Sequence, residues 1–423
     1  MPALDLFLHD RLVGSVSPAE GGRRVDLRIA RDYEEEIVLT ESFATIPGRR
    51  PASPLVSDFL GGYVPEGNHR ERMAAKRRVD KDDLFALLSE FGGSVAGAVT
   101  LRRQDEDPAG RPFYERLDDA SLAARLKQAL EDSDQGIPDD SRSTLPGFQP
   151  KVLVAKVEGA WAAPHGRAHS THILKPQIPA RPHRLFDEHY SHLLAQHIGL
   201  AEFESSVHSA GATTYLAIER FDREVRDGEV LLLHQEDLAQ ALGLDWRDSA
   251  VKFQDPEWPN DPRRATAARI AELLGSIPDG AAAVRGWIRR LAYTMAIGDN
   301  DAHAKNVALL HLPEGSRLAP IYDALPNLFQ DGLISWDLAL AVDGQFDHRR
   351  ISAERILAEI ASWRVIGERP AELLVRETIE RLRAALDAVP APSECSPGLV
   401  ERLRWNADRL LDDKEISTPK KRK

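Results

Sequence analysis

Residues 298–306 read Gly-Asp-Asn-Asp-Ala-His-Ala-Lys-Asn and are flanked on both sides by apolar sequence. The stretch holds two carboxylates, two side-chain amides, an imidazole and an ammonium. Before it, Trp287, Ile288, Leu291 and Met295 recur at helical spacing; after it, 307–312 has the pattern of a strand. A polar cluster this dense at a helix-to-strand junction is a constrained position rather than an ordinary solvated loop, and the rest of the chain has to be folded around it.

Asp301 and Asn306 stand five residues apart, the separation between a hydroxyl-orienting carboxylate and a metal-binding amide in one class of phosphoryl-transfer loop. Asp323 follows a hairpin expected at Pro313, Glu314, Gly315 and Ser316. An amide oxygen and a carboxylate brought together by that hairpin make a hard-oxygen site of the kind magnesium takes beside phosphate oxygens. The plain alternative is that Asp301 caps a turn, Asn306 supplies a loop hydrogen bond and Asp323 ends a strand. These residues alone leave both readings open.

A chain of 423 residues has room for two or three domains or subdomains with a sizeable core. With 42% hydrophobic and 29% charged residues it has the composition of a globular protein. The formal charge of −12 argues against general nucleic-acid binding by this chain alone, because duplex affinity rests largely on Lys and Arg contacts to phosphate. A single cysteine, Cys395, excludes an intramolecular disulfide or a thiolate metal cluster and suits a reducing compartment. With no signal-peptide pattern and no long apolar run, the expected location is cytoplasmic, with no membrane partner.

The order of patterns gives an organisation. Leu4, Leu6 and Leu8 alternate with polar or outward positions, as do Val25, Leu27 and Ile29, and helices are expected over 54–60, 69–78 and 84–91. Residues 1–105 are therefore expected to form a β-rich N-terminal subdomain. A charged linker at 104–110 precedes a helix expected over 115–130, strands at 151–157 and 171–175, a helix over 187–198 ended by Gly199, and a hairpin from 206–209 to 215–219. This makes 106–222 a strand-rich lobe. Beyond Glu236, helices are expected over 236–242, 265–274, 281–297, 353–363, 370–389 and 397–411, so 223–413 reads as a mainly helical lobe. Residues 414–423 read as a basic disordered tail.

Neither a P-loop nor a dinucleotide fingerprint occurs. Residues 141–151 (SRSTLPGFQPK) form a hydroxyl-rich loop with one central glycine, Gly147, that enters a strand. Such a loop can cover phosphates with backbone N–H groups, although a Pro-Gly turn explains it equally. Lys175 ends an apolar strand, either snorkelling to water or held by a carboxylate at a phosphate site; Glu188, early in the next helix, is the nearest ion-pair candidate. Glu219, Arg220 and Phe221 close the hairpin where two lobes join, where exposed backbone groups can read a base.

Taken together, 141–151, 171–175, 219–223, 234–240, 299–306 and 320–323 resemble, in order, the motifs of HipA-type serine/threonine kinases, the toxins of HipA-HipB toxin-antitoxin modules. The first hundred residues are similar to that family's N-terminal subdomain. The resemblance implies an α+β, protein-kinase-like two-lobed fold. It also implies dependence on ATP and Mg, with a protein substrate that in the family is an aminoacyl-tRNA synthetase. By position it makes Asp301 the catalytic aspartate, Asn306 and Asp323 the Mg ligands, and Lys175 the phosphate-binding lysine. Pro146, Gly147, Phe148, Gln149, Pro150 and Lys151 become the nucleotide loop, and Glu219, Arg220 and Phe221 the adenine hinge. His303, Lys305 and Tyr322 would line the site, while Asp299 and Asn300 shape the turn.

The family's loop often carries an autophosphorylated serine before the glycine turn. Here Thr144 takes that place with Ser143 beside it, making these two the autophosphorylation candidates. Phe148 and Pro150 are bulkier or stiffer than the family's loop leads one to expect. The implied partner is a small helix-turn-helix antitoxin of HipB type, with DNA reached only through it. Two other functions stay open: a small-molecule phosphotransferase, and a largely regulatory corepressor of such an antitoxin.

Overall fold

The computed structural model describes residues 3–104, 112–132, 142, 144–147, 149–330 and 335–418. The chain divides into two compact units, 1–176 with 206–249 and 310–315, and 177–205 with 250–309 and 316–423. Ser143, Phe148, most of the expected 104–110 linker and the last residues of the basic tail lie outside the described residues.

The first unit begins with β1 (Leu4–Leu8), β2 (Arg11–Ala19) and β3 (Arg24–Ile29), then α1 (Ser53–Gly61), α2 (Gly67–Arg77), α3 (Leu84–Phe91) and β4 (Val99–Arg103). The four strands form a sheet in the order β3-β2-β1-β4, antiparallel at every pair. The alternation of Leu4, Leu6 and Leu8 puts all three on the buried face, where they pack with Val25, Leu27, Phe59, Leu87 and Leu88. Period-two patterning with one apolar face is what drives this pairing and fixes its register.

Next come β5 (Phe113–Arg116), α4 (Asp119–Asp132), β6 (Val152–Val157), β7 (Ala160–His165) and β8 (His172–Pro176). The helix expected over 115–130 therefore starts later. Asp118 accepts the N–H of Ser121 at 2.8 Å and starts the helix there, and the residues before it pair with β7 as a strand. The sequence pattern also gave no sign of β7, whose run carries Pro164 and little alternation.

After α5 (Arg184–His197), which belongs to the second unit, the first unit resumes with β9 (Ser205–Ala210), β10 (Thr213–Glu219), β11 (Arg223–Arg226), β12 (Glu229–Leu232), β13 (His234–Asp237) and the short α6 (Leu238–Ala241). A six-stranded sheet runs β5-β7-β6-β8-β10-β9, and Leu122 and Leu126 of α4 close its core with Val152, Val154 and Leu174. Asp237 forms a capping box with Gln240, so the helix expected from Glu236 starts two residues later. Glu236 is itself buried and accepts three donors: Thr40 Oγ1 at 2.7 Å, the Glu41 N–H at 2.8 Å and His311 Nε2 at 3.0 Å.

The second unit is mainly helical: α5, α7 (Ala267–Ser276), α8 (Gly280–Ile297), the strand residues of β14 (Ala308–Leu312) and β15 (Gly315–Leu318) assigned to it, the hairpin β16 (Asp337–Val342) and β17 (Gln345–Asp347), then α9 (Ala353–Trp363), α10 (Glu368–Ala388) and α11 (Leu399–Leu411). α10 packs on α8, α11, α9 and α5. Trp287 of α8 stacks on Trp363 of α9 with ring centroids 6.4 Å apart. Ser352 and Thr266 cap α9 and α7 through their hydroxyls. Among the described residues no helix is long and apolar enough to cross a membrane.

Candidate functional site

In the second unit, α8 delivers the polar stretch. Its last turns are buried on all sides, and Gly298 ends it in a left-handed conformation with φ +73°. The chain then turns on Asp299, whose Oδ1 accepts the Asp301 N–H at 3.0 Å. Asn300 pins the outer side of the turn: Nδ2 donates to Ser335 O at 2.8 Å, and its carbonyl accepts the Ala339 N–H at 2.9 Å. Lys252 O receives the Ala304 N–H at 3.2 Å, and Tyr322 Oη donates to Lys305 O at 2.9 Å.

These contacts leave the Asp301 carboxylate about half exposed, with His303 Nε2 4.0 Å from its Oδ1. His303 is buried and stands edge-on to Phe253 at 5.0 Å. Asn306 Nδ2 donates to the Asp301 carbonyl at 2.9 Å. The amide's nitrogen is thereby committed, and Oδ1 is the atom left to serve a cation. Asp323 is exposed and holds φ +53°, a conformation uncommon outside glycine and often found at functional positions.

Electrostatics tie these residues together. Burial, then the Asp301 carboxylate, and further the Asp323 carboxylate, push Asp299 well above the usual carboxylate range, against the backbone N–H groups of Asp301 and Leu325. Three acids thus share one region, Asp299 buried and Asp301 and Asp323 exposed at its edge. The donor set, the Asp323 carboxylate and the Asn306 amide oxygen, is chemistry that Mg accepts when phosphate and water complete its shell.

In the first unit, the described part of the loop is held tightly. Thr144 donates its N–H to Ser94 O at 3.0 Å and is 1% exposed, and its Oγ1 has no hydrogen-bond partner among the described residues. Gly147 has φ +115° and its carbonyl meets His69 Nδ1 at 3.2 Å. A Cβ there would sit 2.7 Å from Lys151 Nζ, which folds back to donate to Pro146 O at 2.7 Å. Gln149 and Pro150 are half-buried. Lys175 is 7% exposed on β8, opposite Leu216 of β10; Glu188, its candidate partner, is buried on α5 in the second unit.

Of the expected hinge residues, Glu219 is exposed and Phe221 half-buried. Arg220 is committed inward. Its N–H donates to Thr171 O at 2.9 Å, and its guanidinium reaches Asp222 at 2.7 Å, Ser170 Oγ at 2.9 Å and Val95 O at 3.2 Å. Its side chain is a structural cation. Arg223 joins the same carboxylate at 2.9 Å, and both arginines hold Asp222 ionised against the cost of its burial.

Asp299 shapes the turn, as its place in the sequence led one to expect. One residue at the site escaped the sequence reading. Arg290 is 4% exposed on α8 and donates Nη2 to Asn306 O at 3.0 Å. A charge beside the apolar positions Trp287, Ile288 and Leu291 was the available signal.

Comparison with known proteins bears on this geometry. The family model described as the HipA N-terminal domain matches residues 4–102, and that described as the HipA-like C-terminal domain matches 143–388. A protein of Sinorhizobium fredii named as a kinase is 33% identical over 284 residues, which span 64% of this chain and 64% of that protein, a little under two thirds of its length. The serine/threonine-protein kinase toxin HipA of Shewanella oneidensis is 25% identical over 367 residues, 84% of this chain and 82% of that one. Among solved structures, the Shewanella oneidensis complex of HipA, HipB and operator DNA holds a chain similar in fold, with a TM-score of 0.80 and 21% identity over 97% of both chains.

Proposed function

The chain belongs to the HipA family, and from that premise we propose that it is an ATP- and Mg-dependent serine/threonine protein kinase, the toxin of a toxin-antitoxin module. The observation that carries this reading is the Asn306 amide. With Nδ2 bound to the Asp301 carbonyl at 2.9 Å, its oxygen is presented for a metal, and the same bond fixes the loop that exposes the Asp301 carboxylate. In this reading Asp301 orients the acceptor hydroxyl and takes its proton, and His303 and Lys305 add positive charge beside it. Asn306 and Asp323 hold Mg, which when bound neutralises charge on the nucleotide phosphates.

The nucleotide-binding residues of this reading are those that the family resemblance names: Lys175 for phosphate, 146–151 as the covering loop, Glu219, Arg220 and Phe221 for the base, and Lys305, Tyr322 and Asp323. Autophosphorylation at Thr144 belongs to the proposal with a condition that its burial imposes: the 144–147 stretch must leave its place against Ser94 before a kinase can reach Oγ1.

The acceptor is a protein hydroxyl, and an aminoacyl-tRNA synthetase is the candidate that the family resemblance supplies. A HipB-type antitoxin is the proposed partner, supported by the Shewanella oneidensis complex of similar fold. Incubation of the purified chain with labelled ATP, Mg and a cell lysate, followed by mapping of the labelled residue, tests the reading. Label on a protein serine or threonine supports it; label confined to small molecules favours a small-molecule phosphotransferase instead.

A further inference from the structure

Asn306 and Asp323, the two proposed Mg ligands, stand on different segments of the second unit, one just before β14 and the other after β15. Their separation depends on the groups that join those segments. Arg290 of α8 reaches both. Its Nη2 donates to the Asn306 carbonyl at 3.0 Å, and its guanidinium carbon lies over the Tyr322 ring, 5.5 Å from the centroid. Tyr322 immediately precedes Asp323 and bonds back to the first segment, its Oη donating to Lys305 O at 2.9 Å. Arg290, Asn306, Lys305 and Tyr322 thus close a ring of contacts through the backbone beside both ligands. Upstream, the Ile321 N–H donates to Leu200 O at 2.7 Å; downstream, the Leu325 N–H is bound by the Asp299 carboxyl.

A charged side chain is an expensive way to fill this space. Arg290 is 4% exposed, and its Nη1 is buried with no hydrogen-bond partner among the described residues. Burying a cation with so few acceptors opposes folding, and the flexible, apolar Met would fill the position without that penalty. What the guanidinium adds is a planar fork, which can donate to a carbonyl at its edge while its face lies on an aromatic ring.

We propose that Arg290 is a positioning residue for the Mg site, setting the separation of Asn306 and Asp323 by clamping the Asn306 carbonyl and the Tyr322 ring to α8. It acts through those two groups, and the proposal rests on the reading of Asn306 and Asp323 as the Mg ligands. The sign of its effect separates positioning from charge. By charge alone, a guanidinium beside a divalent-cation site weakens binding, so its removal would tighten the site. Residues that orient metal ligands do the opposite, and their loss lowers metal affinity about 10–100-fold.

The test is binding of Mn in place of Mg, read by electron paramagnetic resonance on the full chain with a non-hydrolysable ATP analogue, against the analogue alone. Urea unfolding is measured on every variant. Arg290→Met should weaken Mn binding about tenfold or more while leaving affinity for the analogue without metal unchanged, which a general loosening of the fold would not do. Arg290→Lys keeps a donor for the carbonyl but loses the planar face, and should fall between Arg290→Met and the unsubstituted chain. Unchanged or tighter Mn binding by folded Arg290→Met, or by Arg290→Lys if the Met variant does not fold, overturns the proposal. Asn306→Ala and Asp323→Ala separate this failure from that of the site itself. If they weaken Mn binding and Arg290→Met does not, the positioning role falls and the ligand assignment stands. If both bind Mn as the unsubstituted chain does, the ligand assignment falls and the proposal with it.

Discussion

Asp299 Oδ1 accepts the backbone N–H of Asp301 at 3.0 Å, and the Asp299 side chain that does so is buried. The residue that positions the exposed carboxylate is thus an acid whose pKa burial and its acidic neighbours push well above the usual carboxylate range. Asn supplies the same acceptor oxygen without a charge. Asp299→Asn is expected to keep the fold and most of the phosphoryl transfer. Asp299→Leu leaves the Asp301 N–H unpaired, and should cost about 1–3 kcal/mol in urea unfolding and lower kcat more than it raises KM. Equal kinetics for the two variants would remove the positioning role.

Gly298 is the second constraint on this turn. Its φ of +73° disfavours any side chain, and a Cβ there would lie 2.6 Å from the Phe329 ring. Gly298→Ala should therefore destabilise the second unit by about 2–4 kcal/mol, the sum of a left-handed backbone cost and local overpacking. Chemical unfolding measures it, and a change below about 0.5 kcal/mol would contradict the geometry.

His234 sets an acid limit in the first unit. Burial first, and then His311 beside it, hold its pKa at about 3. Both ring nitrogens are used in the neutral form: Nε2–H donates to Leu39 O at 2.7 Å and Nδ1 accepts the Ala98 N–H at 3.4 Å. The unfolded chain binds this proton near pH 6.5 and the folded chain only near 3. Stability is therefore fully present above the unfolded value and is lost as pH falls between the two, by up to about 1.4 kcal/mol per pH unit. His169, held at about 3, and His172, held at about 4, act in the same direction. His234→Gln should reduce the pH slope of urea unfolding by one proton; an unchanged slope would show that His234 is protonated in the fold.

Thr144 carries a hydroxyl that is buried without a hydrogen-bond partner among the described residues. Thr144→Val keeps the shape and removes that cost, so stability should be unchanged or higher by about 1 kcal/mol. Thr144→Glu places a charge in the same space and should release 144–147, read as faster proteolysis near Gly147. Resistance equal to that of the unsubstituted chain would show that the loop accommodates the charge where it stands.

The sequence displayed its strands and helices where the periodicity was strong. Leu4, Leu6 and Leu8 announced a one-sided sheet, and the long apolar stripe before Gly298 announced α8. The kinase-like α+β fold and the family were legible from motif order, because several modest motifs in sequence leave few alternatives. What was hidden depends on partners distant in sequence. The inward commitment of the Arg220 side chain rests on Ser170 and Val95. Glu236, at what looked like a plain helix start, takes donors from Thr40, Glu41 and His311. Spacing along the chain cannot report such contacts, and β7 was missed for a related reason: its pairing with β6 and β5 stabilises a run with weak strand character of its own.

The most direct measurement is transfer of the ATP γ-phosphate by the purified chain and by Asp301→Ala, side by side, with Mg present. The Asp301 side chain is half exposed, so the substitution should leave urea unfolding nearly unchanged. The account predicts a loss of transfer of at least about 100-fold in a variant that remains folded. Equal phosphorylation by the folded variant would contradict the assignment of Asp301, and with it the central reading of the site.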